Sequence, residues 1–344
     1  MDYIKKVVLA VAGSGKTSNI ISYLNLSQRF LIITYTDNNA QNINSRIVDK
    51  FGFVPDNIVV HTYFSFLFSF CIRPFAIDGC DYIERLNFDV NDIPIYATGF
   101  SRYISKGNSL YHSRAFDFAQ KYIGQNRIVA RIEKFYDFVF VDEVQDFAGY
   151  DFKFITMLGQ AKLNAILVGD FFQHTFDTSR SGMMNSNLHN NFADYKAYFK
   201  PFFTVDESSL SVSYRCSHEI CEFIRNNIKI PIYSGRQDNS STKPVLIQDK
   251  EEIRCLMSNP TIKKLFYRCS NKYSCNASNW GDCKGLTFGN VCVVLNEKTY
   301  TLFCSGKLNS LTPISMNKFY VACTRASGQL FFIREKDVSE YKTI

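Results

Sequence analysis

Ala10-Val-Ala-Gly-Ser-Gly-Lys-Thr17 is the segment with the clearest chemistry. Glycines at 13 and 15 let successive backbone N–H groups turn toward one phosphate. A helix starting at Lys16 presents its positive end to the same anion. Lys16 then reaches the β- and γ-phosphates of a nucleotide, and the Thr17 hydroxyl is a ligand for Mg²⁺. The expected cradle is Ala12, Gly13, Ser14, Gly15, Lys16, Thr17 and Ser18, with Ala10 in the slot of the pattern's first glycine.

Phe138-Val-Phe-Val-Asp142-Glu143-Val-Gln145-Asp146 puts acids directly after an apolar run. A strand end of that kind borders the ligand crevice of a parallel sheet. Asp142 suits a metal's water shell, and Glu143 suits the orientation and deprotonation of an attacking water. A third apolar run, Ile166-Leu-Val-Gly169, ends in Asp170-Phe-Phe-Gln173, where a neutral two-sided amide can sense a γ-phosphate. Ser213-Tyr214-Arg215 and Thr324-Arg325-Ala326 lie far downstream. Two guanidinium groups delivered from a second domain would stabilise charge on a transferring phosphoryl group, an effect worth ~10³–10⁵ in rate in other NTPases.

These residues need a scaffold, and the flanking sequence predicts one. Val7–Val11 reads as a strand buried on both faces, followed by a turn and a helix from Lys16. Strands at Phe30–Thr34 and Ile58–Val60 alternate with helices near Asn38–Phe51 and Phe64–Cys71. Strands at Phe138–Val141 and Ala165–Val168 flank a helix near Phe152–Gly159. The alternation predicts an α/β fold with parallel sheets. Residues 75–134 break it: 75–98 hold five acids against one Arg, and 99–134 hold seven Lys/Arg against two acids. They read as a helical insertion. A second α/β unit is expected from about residue 206, with a strand at Leu210–Ser213, a helix at Ser217–Asn226 and a strand at Val291–Leu295. A helix at Ser315–Thr324 and a last strand at Leu330–Ile333 complete it. The predicted domains are 1–205, with the insertion at 75–134, and 206–344.

Composition narrows the class. Of 344 residues, 46% are hydrophobic and 15% aromatic, enough to bury two cores and exclude a disordered chain. No run approaches the ~20 apolar residues of a membrane span, so no membrane partner is expected. Eleven scattered cysteines point to free thiols and a cytoplasmic location. Lys5-Lys6 and the short apolar run behind them are too brief for a signal peptide. Cys255, Cys269, Cys275 and Cys283 lack the C-x₂₋₄-C spacing of a zinc site. The net charge of +7 is carried mostly by residues 206–344, which suits a polyanionic partner. Arg102, Lys106, Arg114, Lys121, Arg127 and Arg131, interleaved with aromatics, would line a strand-binding groove or form a solvated helix face.

The series AVAGSGKT, TYTDNNAQNINSRI, VHTYFSF, FVFVDEVQDF, ILVGDFFQ, VSYRCS, CKGLTFGNVCVVL and FYVACTRA resembles, in this order, the motif set of UvrD/Rep-like superfamily-one DNA helicases. It runs from residue 10 to about 332. The resemblance implies two RecA-like domains, with ATP in the cleft between them and single-stranded DNA across their top. Lys16, Glu143, Gln173, Arg215 and Arg325 would then be catalytic, Thr17 and Asp142 would bind Mg²⁺, and Tyr214 would stack on the nucleotide base. Thr34, Tyr35, Thr62, Tyr63 and Lys284 would contact DNA.

The chain also departs from that pattern. Only nine residues precede Ala10, where the family carries an adenine-reading Gln, and Thr287 replaces a Glu expected at the ribose. The usual Trp after Gln173 is missing, with Phe176 as its substitute. Residues 71–135 replace a large accessory domain, and 227–283 leave no room for the second. The expectation is an ATP hydrolase of the helicase type that moves on single-stranded DNA. The alternative is a partner-dependent NTPase switch acting with a separate nuclease or effector in genome defence or repair.

Overall fold

The computed structural model describes residues 3–75, 83–89, 93–94, 96–175, 188–189, 191–237 and 242–343. It opens with β1 (Lys5–Leu9), a glycine loop and α1 (Lys16–Tyr23). β2 (Phe30–Thr34), α2 (Asp37–Phe51) and β3 (Ile58–Thr62) follow. A short α3 (Tyr63–Phe66) widens into a π-type turn at Leu67–Ile72. Next come β4 (Arg85–Asn87), β5 (Ser109–Tyr111), α4 (Ala115–Tyr122) and α5 (Gln125–Phe135). β6 (Phe138–Asp142), α6 (Phe152–Gln160), β7 (Asn164–Gly169), α7 (Phe192–Phe199) and β8 (Thr204–Asp206) complete this part.

Its six-stranded sheet has the order β3-β2-β6-β7-β1-β8. Every residue of β2 and β6 is buried, which explains why both read as unbroken apolar runs rather than alternating ones. β2 pairs in parallel with β3 and β6, and β6 with β7. β1 pairs in parallel with β8, and Ile4, just ahead of it, hydrogen-bonds Asn164 and Ala165 at the start of β7. α2 is held at its start by the Thr36 hydroxyl, which accepts from the Asn39 N–H, and ends at Gly52.

The remaining elements are β9 (Val212–Ser213), α8 (His218–Ile228), β10 (Tyr233–Ser234), β11 (Val245–Leu246) and α9 (Lys250–Ser258). They continue with β12 (Lys263–Phe266), β13 (Ala277–Asn279), β14 (Val291–Leu295), α10 (Glu297–Cys304), α11 (Pro313–Cys323) and β15 (Leu330–Arg334). A five-stranded parallel sheet has the order β11-β15-β14-β12-β13. Alternate residues of β14 serve two cores. Val291, Val293 and Leu295 pack with Trp280, Phe319 and Tyr320, while Cys292 and Val294 pack with Ile253 and Phe266. Trp280 is fully buried, and its indole N–H donates to the Leu265 carbonyl at 2.8 Å.

The α/β class with parallel sheets stands as expected. The insertion differs from its helical reading: β4 and β5 form a two-stranded parallel ladder ahead of α4 and α5. Three-residue strands carry too few positions for a period to show in the sequence. β1 lies two residues earlier than read, because Ala10 and Val11 belong to the loop. α7, α9, α10, β8, β10 and β11–β13 have no counterpart among the predicted elements.

Compactness divides the chain into two units. The first comprises Met1–Val8, Thr17–Gly169 and Phe176–Asp206. The second comprises Leu9–Lys16, Asp170–Thr175 and Glu207–Ile344. Most of the glycine loop and the turn carrying Gln173 therefore group with the later residues. The local cause is bonding: the Val11 N–H donates to Leu210, and the Gly13 carbonyl accepts from Tyr214.

Arg29 and Asp137 sit immediately before the paired strands β2 and β6. The Arg29 guanidinium donates to both Asp137 oxygens, at 2.7 and 3.2 Å, and its backbone N–H adds a third bond at 2.8 Å. These bonds hold the Asp137 carboxyl below its ordinary value of 3.8. A depressed carboxylate contributes stability above its unfolded pKa and loses it as pH falls through the folded one. Asp137→Asn should therefore lower the melting temperature by no more than a few degrees at pH 7, since the pair is half exposed. The gap between parent and variant should close below about pH 4, read by thermal melts across pH.

Candidate nucleotide site and nucleic-acid interface

The loop after β1 turns through positive φ at Gly13 (74°) and Gly15 (87°), conformations that side chains resist. At Gly13 there is also no room: a Cβ would lie 2.6 Å from the Arg215 Cβ and 2.8 Å from the Ser213 hydroxyl. The Ser14 hydroxyl is buried without a hydrogen-bond partner among the described residues, a polar group suited to an anion. Lys16 and Thr17 are half-buried at the start of α1, and Lys16 makes no ion pair among the described residues. Ser18 is exposed and accepts from Arg46 at 2.9 Å. The Ala12 amide departs from the expected cradle. It is fully buried and donates to the Tyr320 hydroxyl at 3.0 Å, so it fixes the loop instead of facing a phosphate.

Tyr320 passes that bond on. Its hydroxyl donates to Asp170 at 3.1 Å, and the same carboxylate oxygen accepts from the Gln173 amide at 2.8 Å. The other oxygen accepts from the Phe172 N–H at 3.1 Å and so caps the Phe171–Gln173 turn. The Gln173 carbonyl oxygen accepts from Arg325 at 3.4 Å. Its amide orientation is thereby set, NH₂ toward the acid and oxygen toward the base. Arg325 is 1% exposed, and its guanidinium also donates to the Val321 and Leu286 carbonyls at 3.0 Å. Arg215 donates to the Thr324 carbonyl at 3.2 Å. Both arginines thus lie in the same compact unit as the glycine loop, not in a separate one as the sequence suggested. Tyr214 is 68% exposed, and its ring lies over Gly235, where a Cβ would come within 2.8 Å of it.

The acids after β6 form their own arrangement. Asp142 and Glu143 are both buried, and the Asp142 carboxylate accepts from the Glu143 N–H at 3.0 Å. Glu143 occupies the left-handed region at φ 57°, a strain that packing must hold. Its carboxylate accepts from the fully buried Gln145 amide at 2.6 Å. Gly169 at the end of β7 makes room for this: a Cβ there would meet the Gln145 Oε1 at 2.3 Å.

The expected strand contacts divide. Thr34 is buried at the end of β2, with its hydroxyl unbonded among the described residues. Tyr35 and Thr62 are half-buried at the ends of β2 and β3, and Lys284 is half-buried in a turn. Tyr63 is corrected: it is fully buried, donates to Asp151 at 2.9 Å and packs edge-on against Phe147 at 4.8 Å. No face of its ring is open to a base. An unforeseen ring is better placed. Asn87 pairs with Tyr111, so Phe88 and His112 follow side by side and stack at 4.8 Å with a 20° tilt. Phe88 is 58% exposed, and both rings meet Phe64, which touches Tyr35. The basic residues of the insertion mostly pack on nearby aromatics: Arg127 over Phe75, Arg131 over Phe70 and Lys121 over Tyr103. Arg114 is buried against the Arg102 and Pro94 carbonyls. Phe176 lies outside the described residues.

Sequence reasoning missed Tyr320, Asp170 and Gly169 as site-forming residues. The contacts of Tyr320 with Ala12 and Asp170, and of Gly169 with Gln145, span long stretches of chain, and no spacing could have announced them. Tyr320→Phe removes an acceptor from the buried Ala12 N–H and a donor from the buried Asp170. It should lower unfolding free energy by about 1–3 kcal/mol, read by denaturant titration.

The model of the viral superfamily 1 RNA helicase core domain matches residues 121–334. No curated protein matches the sequence. Among solved structures, the arterivirus nonstructural protein 10 helicase in complex with DNA aligns with 98% of this chain and 63% of its own, at TM-score 0.51 and 15% identity. The same helicase without DNA aligns over 98% and 62%, at TM-score 0.50 and 15% identity. The chain spans less than two thirds of that helicase's length, and at such identity the likeness is one of fold. Among the described residues no helix is long and apolar enough to cross a membrane. The motif series resembles the UvrD/Rep-like branch, but the model that matches is the viral one. The chain is a superfamily-one helicase core and belongs to the viral superfamily 1 RNA helicase core domain family.

Proposed function

We propose that this chain hydrolyses Mg·ATP and uses the cycle to move along a single nucleic-acid strand, DNA or RNA. The observation that carries the reading is the continuous polar path from the glycine loop through Tyr320, Asp170 and Gln173 to Arg325. A path of that kind lets an arginine and a γ-phosphate sensor respond to one nucleotide. Lys16 and the loop amides hold the phosphates, and Tyr214 offers an exposed ring to the base. Glu143 orients and deprotonates the attacking water, and Arg215 and Arg325 offset charge on the phosphoryl group. The Thr17 hydroxyl and the Asp142 carboxylate are hard oxygen donors that fit Mg²⁺, which when bound neutralises phosphate charge.

Two features support a strand partner. The second unit has a cavity of about 570 Å³ whose lining includes the cations Arg268, Lys272, Lys298 and Lys342 and the acids Glu297 and Glu335. None of these four cations forms an ion pair among the described residues. Four cations against two acids suit a phosphodiester backbone. In the first unit, Phe88 offers an open ring face. The family description names RNA, and the arterivirus relative was solved with DNA, so both polymers are candidates. The UvrD/Rep-like motifs favour DNA. The small insertion favours a second reading, a switch that turns over nucleotide only with a nuclease or another effector.

Glu143→Gln should lower kcat by ~10²–10⁴ while nucleotide binding persists, measured by steady-state hydrolysis and by titration with a fluorescent ATP analogue. Turnover at the parent rate would remove Glu143 from the base role. Phe88→Ala should weaken binding of a labelled oligonucleotide by ~1–3 kcal/mol, roughly 5- to 150-fold. Unchanged anisotropy titrations with both oligo-dT and oligo-U would take Phe88 out of the strand path. Hydrolysis that appears only after adding a partner would select the switch.

A further inference from the structure

We infer that Arg236 is a positioning residue that keeps the two arginine-bearing loops in register for phosphoryl transfer; this rests on the reading just proposed. Arg236 follows β10, which pairs in parallel with β9 so that Tyr233 faces Val212 and Ser234 faces Ser213. The Gly235 N–H continues the ladder onto the Ser213 carbonyl at 2.8 Å. The chain direction at Arg236 is therefore set by the strand leading to Arg215. The Ser234 hydroxyl strengthens the tie: it donates to the Cys216 carbonyl at 2.7 Å and accepts from the Arg236 N–H at 3.2 Å. His218 contacts the Arg236 carbonyl at 3.1 Å.

From that base, one nitrogen of the Arg236 guanidinium reaches two carbonyls. It donates to the backbone oxygen of Arg215 at 3.1 Å and to that of Ser327. Ser327 stands two residues after Arg325 and is itself anchored, donating to the Phe288 carbonyl from its N–H at 2.9 Å and its hydroxyl at 3.0 Å. Arg215 closes the circuit in the other direction, donating to the Thr324 carbonyl. Each loop thus holds the other: the Arg215 side chain grips the residue before Arg325, and Arg236 joins the Arg215 backbone to the far side of Arg325. Bonds from a charged donor are roughly twice as strong as neutral ones, and Arg236 is half-buried, where water competes less. A lysine ammonium sits on a shorter stem, held back from the position where this one nitrogen meets both oxygens.

The consequence is kinetic. Displacing two guanidinium groups by a fraction of an ångström leaves nucleotide binding to the glycine loop and Lys16, but removes charge stabilisation where it develops. Steady-state hydrolysis of Mg·ATP by the full chain should show kcat falling roughly 10- to 100-fold in R236A, with KM within about threefold of the parent. R236K should recover only a small part of the loss, and added guanidinium ion should restore R236A further than R236K. The double variant R215A/R236A should be no slower than R215A alone, because both act through one arrangement. R236A turning over at the parent rate would overturn the inference, as would multiplicative losses in the double variant. A loss of kcat in R236A accompanied by a melting temperature many degrees lower and no guanidinium rescue would reduce Arg236 to a structural tie and overturn it as well. A parent chain that hydrolyses no nucleotide, or R215A matching the parent, would instead bring down the phosphoryl-transfer reading, and the inference with it.

Discussion

A carboxylate with no access to water organises the centre of the second unit. Asp170 is fully buried, and an unbonded charge there would be strongly destabilising. It is instead surrounded by donors: the Tyr320 hydroxyl, the Gln173 amide and the Phe172 N–H. Each donor belongs to a part that must be held. Tyr320 lies on α11 and reaches back to the glycine loop, Gln173 faces Arg325, and Phe172 closes the turn between them. Low local polarity strengthens every bond in such a chain and makes any missing member expensive. The acid's demand for partners therefore fixes three pieces of chain that are far apart in sequence.

The first unit relies on strain and close approach. Glu143 holds a backbone conformation that a side chain resists, and Gln145 packs into space that exists because residue 169 has no Cβ. Removing freedom from a carboxylate keeps it aimed before any ligand arrives, as the base role proposed for Glu143 would require. The neighbouring Asp142 takes part by accepting the N–H of the strained residue.

The legibility of the sequence followed burial. β2, β6 and β14 were readable because both of their faces are covered, so each appears as an uninterrupted apolar run. β12 begins with two lysines, yet Lys264 is fully buried with its ammonium on the Asn259 carbonyl, a solution no hydropathy pattern announces. β4 and β5 are too short to show a period. In the site, residue types at fixed spacing revealed the glycine loop, the acids and the arginines. Their second partners came from chain separations as long as that from Ala12 to Tyr320, which only folding brings together. Tyr63 shows the limit from the other side. Its motif position suited base stacking, but a buried acid at 151 claims its hydroxyl and the aromatic core claims its ring.

The burial of Trp280 has an optical consequence. It is the one tryptophan in the sequence, and it sits among residues of the second unit, beside Tyr267 and Phe319. Excitation at the red edge of protein absorbance therefore reports from that core alone, while the twenty tyrosines report from both units. The molecule carries its own two-channel dye, able to tell loosening of the later half from loosening of the whole without any label.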